Sequence, residues 1–204
     1  LLDVDLSSAF NGFKISGANI DDNLGFSVSA LGDVNGDGYD DIILGAPKTD
    51  GNGTDEGKSY VIYGQSGGYT DVNISSAFNG FAISAGTLGG LNGASVSAAG
   101  DVNGDGFDDM ILGAYKGSEA FVIFGDSTNP GAVDLSSAFN GFRIFGGPVT
   151  DQIGWSVTNA GDMNGDGHDD IAISANQADP NALTDAGEVY VVFGKNTGLG
   201  DIDL

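Results

Sequence analysis

A nine-residue run rich in oxygen-bearing side chains recurs three times: DVNGDGYDD from Asp33, DVNGDGFDD from Asp101 and DMNGDGHDD from Asp162. Alternate residues of a tightly curled loop point inward, and a hard cation such as calcium takes six to eight oxygen ligands in flexible geometry. In the first copy Asp33, Asn35 and Asp37 are expected to point in, Gly38 to relieve the bend, Tyr39 to offer its backbone carbonyl, and Asp41 to close the site. The second set is Asp101, Asn103, Asp105, the Phe107 carbonyl and Asp109; the third is Asp162, Asn164, Asp166, the His168 carbonyl and Asp170. The seventh residue varies among Tyr, Phe and His, as expected where only its carbonyl is used. One such loop could be a solvated Asp-Gly turn; three in register predict three Ca²⁺ sites.

The same start, DVNGDG, opens helix–loop–helix calcium sites, but those need an acidic residue at the twelfth position. Here the twelfth residues are Leu44, Leu112 and Ile173, inside apolar runs. The loops are therefore expected to be structural clasps between strands.

The elements that must position them repeat as well. SSAFNGF occurs at 7–13, 75–81 and 136–142, and the runs SYVIYG, AFVIFG and VYVVFG end at Gly64, Gly125 and Gly194. Successive loops are 68 and then 61 residues apart, a period that signals a stacked or radial array. In the first unit four short strands are expected near 13–16, 26–31, 41–46 and 59–63, from alternation, β-branched and aromatic enrichment and punctuating glycines. The loop then joins the second and third strands. Four antiparallel strands per unit make the blade of an all-β propeller. The expected units are 3–70, 71–131 and 132–200, with 201–204 starting a fourth, because DVDL at Asp3 recurs as DVNI, AVDL and DIDL.

Composition narrows the function. With 29 acidic residues against six basic ones the net charge is −23, and the six cations are scattered, which excludes phosphate-backbone recognition. No cysteine is present, so neither disulfides nor thiolate metal sites enter. No stretch approaches the ~20 apolar residues of a membrane span. Calcium loops of modest affinity fill where calcium is near millimolar, which predicts an extracellular or cell-surface setting.

The D-x-N-x-D-G-x-x-D loop running into DDIILGAP (40–47), with LGFSVS from Leu24 and IGWSVT from Ile153, resembles the FG-GAP repeat of integrin α-subunit propellers and bacterial surface proteins. The second unit departs with Ala94 in the aromatic slot, and GAP becomes GAY at Gly113 and SAN at Ser174. The resemblance implies a calcium-binding β-propeller, integrin-like, that mediates secreted or cell-surface adhesion to a protein or glycan. FG-GAP arrays also resemble parts of secreted hydrolases and lyases, or spacers within large adhesins.

Three blades do not close a ring, since propellers usually have four to eight. Either the chain, which begins Leu1-Leu2, belongs to a larger secreted protein, or two copies associate head to tail as a homodimer closing a six-bladed ring. An enzyme is not expected. The single histidine, His168, occupies a loop carbonyl position where Tyr and Phe substitute, and the acidic pairs come in threes, whereas catalytic residues are singular. Trp155 fills the slot of Phe26 and is expected in the core. The connections after the third strand vary in length and predict a ligand-docking face, with Asp50, Asn52 and Asp55, and Asp179, Asn181 and Asp185, as candidates for further cations.

Overall fold

The structure is a computed structural model that describes residues 6, 10–50, 55–84 and 90–204. The first copies of DVDL and SSAFNGF fall partly outside these residues, as does Asn52. The described residues form fifteen strands and three short 3₁₀ turns, with no α-helix among them. Among the described residues no helix is long and apolar enough to cross a membrane.

The strands are β1 (Ile15–Ser16), β2 (Ser27–Gly32), β3 (Asp41–Ala46), β4 (Lys58–Ile62), β5 (Val72–Asn73), β6 (Gly80–Ser84), β7 (Ser95–Gly100) and β8 (Asp109–Ala114). They continue as β9 (Glu119–Ile123), β10 (Val133–Asp134), β11 (Gly141–Phe145), β12 (Ile153–Gly161), β13 (Asp170–Ala175), β14 (Glu188–Val192) and β15 (Ile202–Asp203). Two five-stranded sheets have the orders β10-β6-β4-β3-β2 and β15-β11-β9-β8-β7; β12-β13-β14 form a third, and β1 pairs with β5. Each sheet is an antiparallel blade, with one short parallel strand added outside the first two.

The sheets are offset from the sequence units. The strand expected at 13–16 does not join β2, β3 and β4; its ordered part, β1, pairs in parallel with β5. The fourth strand of the first sheet is β6, from the next unit, and that of the second sheet is β11. Alternation marks a segment as a strand but does not name its partner, and here the partner lies across a repeat boundary.

The SSAFNGF motif explains the offset. Its first aromatic, Phe78 or Phe139, lies edge-on to Tyr60 or Phe121 at 6.2 Å. Its second, Phe81 or Phe142, is buried against Tyr63 or Phe124 at 5.9 Å. Between them Gly80 and Gly141 lie so close to the preceding blade that a Cβ would sit 1.9 and 2.0 Å from the Val61 and Val122 carbonyl oxygens. Only glycine fits there, so the motif docks on the blade of the unit before it.

The core lies between blades. Ile43, Val61 and Ile83 of the first sheet pack with Met110, Leu112 and Phe121 of the second. The second sheet's other face, with Ile111, Val122 and Ile144, packs on Ile153, Val157 and Ile171 of the third. β8 is buried on both faces, so its sequence is a continuous apolar run rather than an alternation. Leu44, Tyr60 and Ile62, on the outer face of the first sheet, are covered by the β1–β5 region.

Candidate metal centres

Each nine-residue loop is the hairpin connection between the two strands expected to flank it, β2 to β3, β7 to β8 and β12 to β13, but these are the first and second strands of the sheet and not the second and third, because the strand expected at 13–16 lies outside it. A register shift at Ala30/Gly32, Ala98/Gly100 and Asn159/Gly161 marks a bulge at the entry to all three, which bends the strand into the loop. Gly38, Gly106 and Gly167 have φ of +89°, +93° and +93° with open space around them, so glycine is needed there for its conformation.

The predicted side chains are brought together within each loop. In the first, Asp33 accepts the amides of Asp37 (3.0 Å) and Gly38 (2.8 Å). Asn35 accepts the Asp37 amide at 2.8 Å and donates its side-chain amide to Asp37 at 3.1 Å. Asp37 in turn accepts the Tyr39 amide at 3.0 Å. The second loop repeats this with Asp101, Asn103, Asp105 and the Phe107 amide. The third does so with Asp162, Asn164, Asp166 and the His168 amide.

Asp41, Asp109 and Asp170 differ from the other carboxylates. They are almost wholly buried, and each accepts two backbone amides. Asp109 takes those of Val102 and Gly125, both at 2.9 Å. Asp41 takes those of Val34 and Gly64, and Asp170 those of Met163 and Gly194. The ninth residue thus ties its loop to the end of the sheet's third strand. Burial pushes Asp41 up to about 6 and Asp109 up to about 7, although the two amides pull the other way; nearby loop aspartates add to the rise.

Among the described residues no three His, Cys, Asp or Glu side chains gather tightly enough to hold a metal unaided. The loop carboxylates are turned onto their own backbone. Their chemistry nonetheless fits a hard cation: every side-chain acceptor is an oxygen, and the ion pairs of the described residues, Lys14–Asp71, Arg143–Glu119 and Arg143–Asp201, include no loop carboxylate. Among the described residues no ion pair balances the negative charge that each loop concentrates.

The eighth residues, outside the expected ligand sets, also have a role. Asp108 accepts the Asp33 amide at 2.9 Å and Asp169 the Asp101 amide at 3.0 Å, so one blade's loop caps the loop before it. The seventh residues add a lid: Phe107 and His168 lie over Gly36 and Gly104 of the preceding loop. The constant Asp-Asp doublet was the sequence signal for the first; the second left none beyond the ring character of Tyr39, Phe107 and His168.

At the opposite end of the strands lie the connections that leave β3, β8 and β13, described at 47–50 and 55–57, at 115–118 and at 176–187. Trp155 is not a core residue: it is 47% exposed and meets Tyr115 edge-on at 4.7 Å, while Ile153 and Val157 supply the packing. Phe26, in the equivalent slot, is exposed too. Asp50 and Asp179 cap the amides of Asp55 and Asp185, the behaviour of plain polar turns.

The FG-GAP repeat model matches residues 24–62, 92–135 and 153–192, each spanning the three inner strands and the loop of one sheet. The chain is 30% identical over 185 residues to integrin alpha-PS2 of Drosophila melanogaster, covering 83% of this chain and 12% of that protein. It is 31% identical over 181 residues to integrin alpha-5 of Xenopus laevis (84% and 16%), and 35% identical over 158 residues to integrin alpha pat-2 of Caenorhabditis elegans (72% and 13%). The chain therefore spans less than a fifth of these relatives. With three repeats matched and blades of the corresponding architecture, this chain belongs to the FG-GAP repeat family of β-propeller proteins.

Proposed function

We propose that the chain is a non-enzymatic, calcium-stabilised propeller module of an extracellular or cell-surface protein, acting in adhesion through a protein or glycan ligand. The observation that carries this reading is the threefold loop of oxygen ligands, whose carboxylates enter none of the ion pairs among the described residues. Calcium would be held by Asp33, Asn35, Asp37 and Asp41 with the Tyr39 carbonyl, and by the corresponding residues of the other loops. When bound, the ion supplies the positive charge that lets clustered carboxylates cross-link a hairpin instead of repelling one another.

The division of labour follows from strand direction. Loops that clasp metal occupy one end of the sheets, and the variable connections with the exposed Trp155–Tyr115 pair occupy the other. Trp and Tyr are the side chains that most often anchor interfaces, so the ligand is assigned to that end. A glycan and cell-surface protein array, probed in calcium, should give a hit that Trp155→Ala loses while the fold is retained. Turnover of a polysaccharide or phosphoester by this chain would overturn the non-enzymatic reading.

A further inference from the structure

The seam between the first two sheets encloses a cavity of about 220 Å³ that the metal loops do not use. Its walls include Val34, Tyr63, Phe81, Met110 and Phe139, all but the last almost wholly buried. Asp126 and Pro130, in the connection that follows β9, stand at its mouth.

Four of the lining residues have no match at the equivalent position of either other unit. Tyr63 stands where the others have Phe124 and Phe193, and Met110 where they have Ile42 and Ile171. Asp126 stands where they have Gln65 and Lys195, and Pro130 where they have Tyr69 and Leu199. Residues that only hold a repeat together recur with it, whereas these four are singular and meet in one place. The change at Pro130 leaves the space open. Leu199 packs against the core between the second and third sheets, while the compact ring of Pro130 is exposed at the rim.

Asp126 is firmly placed. A Cβ on Gly125 would lie 2.4 Å from the Asp108 carbonyl oxygen and 2.7 Å from that of Val34, so the chain reaches the mouth pressed against the first loop. The Asp126 amide then donates to the Val34 carbonyl at 3.1 Å. Its Oδ1 accepts the amide and hydroxyl of Thr128, and its Oδ2 accepts the Asn140 side-chain amide at 3.2 Å. A carboxylate offers about four acceptor positions, so Oδ2 retains one. Asp126 enters none of the ion pairs among the described residues.

We infer that this seam binds a small organic cation, an ammonium group on a short chain that carries one aromatic ring. An apolar cavity of about 150 Å³ takes benzene, so about 220 Å³ suits one ring and a short tail. Tyr63 and Phe81, tilted against each other at 5.9 Å, and Phe139 present ring faces and edges, and the Met110 thioether is a soft contact for a ring. The ammonium pairs with Asp126, which is half-buried, so the charge-assisted hydrogen bond is screened less than on an open surface. The same carboxylate repels an anionic ligand, and a sugar would set its hydroxyls against apolar walls without partners.

The probe is phenethylammonium, with phenethyl alcohol as its neutral isostere and ethylammonium as its ringless fragment. Each is titrated into the whole chain in calcium by calorimetry and ligand-observed NMR. Phenethylammonium should bind once per chain and roughly tenfold tighter than the alcohol, the scale of one hydrogen bond to a charged group. Asp126→Asn should erase that preference and leave the alcohol unchanged. Pro130→Leu, which copies Leu199, should abolish binding of both, with melting curves checking that each variant folds. The comparison of the three probes needs no variant at all. Equal affinity for ammonium and alcohol, ethylammonium binding as tightly as phenethylammonium through diffuse attraction to the acidic surface, full affinity in Pro130→Leu, or no binding would overturn the proposal.

Discussion

The loops at Asp101 and Asp162 differ at two of nine positions and fold with the same internal hydrogen bonds, yet their surroundings diverge. The second loop has its Asp101 amide capped by Asp169 and its Gly104 roofed by His168 from the third sheet. The third loop has neither among the described residues. Val102 is 2% exposed, while Met163 at the same loop position is 63% exposed. Local sequence therefore determines the shape of the clasp, and the neighbouring blade determines how deeply it is buried and how firmly it is held.

That difference can be broken where it is largest, in the seams. Ile111→Ala empties a fully buried site between the second and third sheets and should cost about 2–5 kcal/mol. Val189→Ala, on the exposed outer face of β14, should change stability by less than about 0.5 kcal/mol. Equal effects in chemical denaturation would show that the two faces are equally covered.

The caps give a smaller contrast. Asp108→Ala removes the acceptor for the Asp33 amide and should cost about 1–2 kcal/mol, whereas Asp40→Ala, which breaks no hydrogen bond among the described residues, should be nearly neutral. Thermal melting of the two variants decides this.

A pH scan sharpens the electrostatic side. In chelator, Asp109 has a folded value raised from 3.8 to about 7. Its contribution to stability is then fully present below 3.8 and is lost as pH rises through about 7. Melting temperature in chelator should therefore fall across this window. Asp109→Asn should flatten the trend, and a metal-free protein that gains stability across the same window would contradict it.

Much of this was readable from the chain. Alternate Asp and Asn around a sixth-place glycine gave the loop, and β-branched runs gave the positions of β2, β3 and β4 to within a few residues. The pairing of β6 with β4 was not readable, because strand pattern carries no partner information; the close approach of Gly80 to Val61 supplies it only in three dimensions. Trp155 was misread for a related reason. A slot that repeats in sequence looks like core, but this one lies at the strand entrance, where Ile153 fills the interior. The capping role of Asp108 and Asp169 was hidden because each acts on the loop of another unit, 75 and 68 residues away.

The central claim, that each blade carries a calcium clasp, is tested most directly by counting. Native mass spectrometry with calorimetry in calcium should find three ions per chain, falling to two in Asp105→Ala, and a stabilisation of ~2.7 kcal/mol per site at a hundredfold excess over Kd. No bound calcium, with a melting temperature indifferent to chelator, would contradict it.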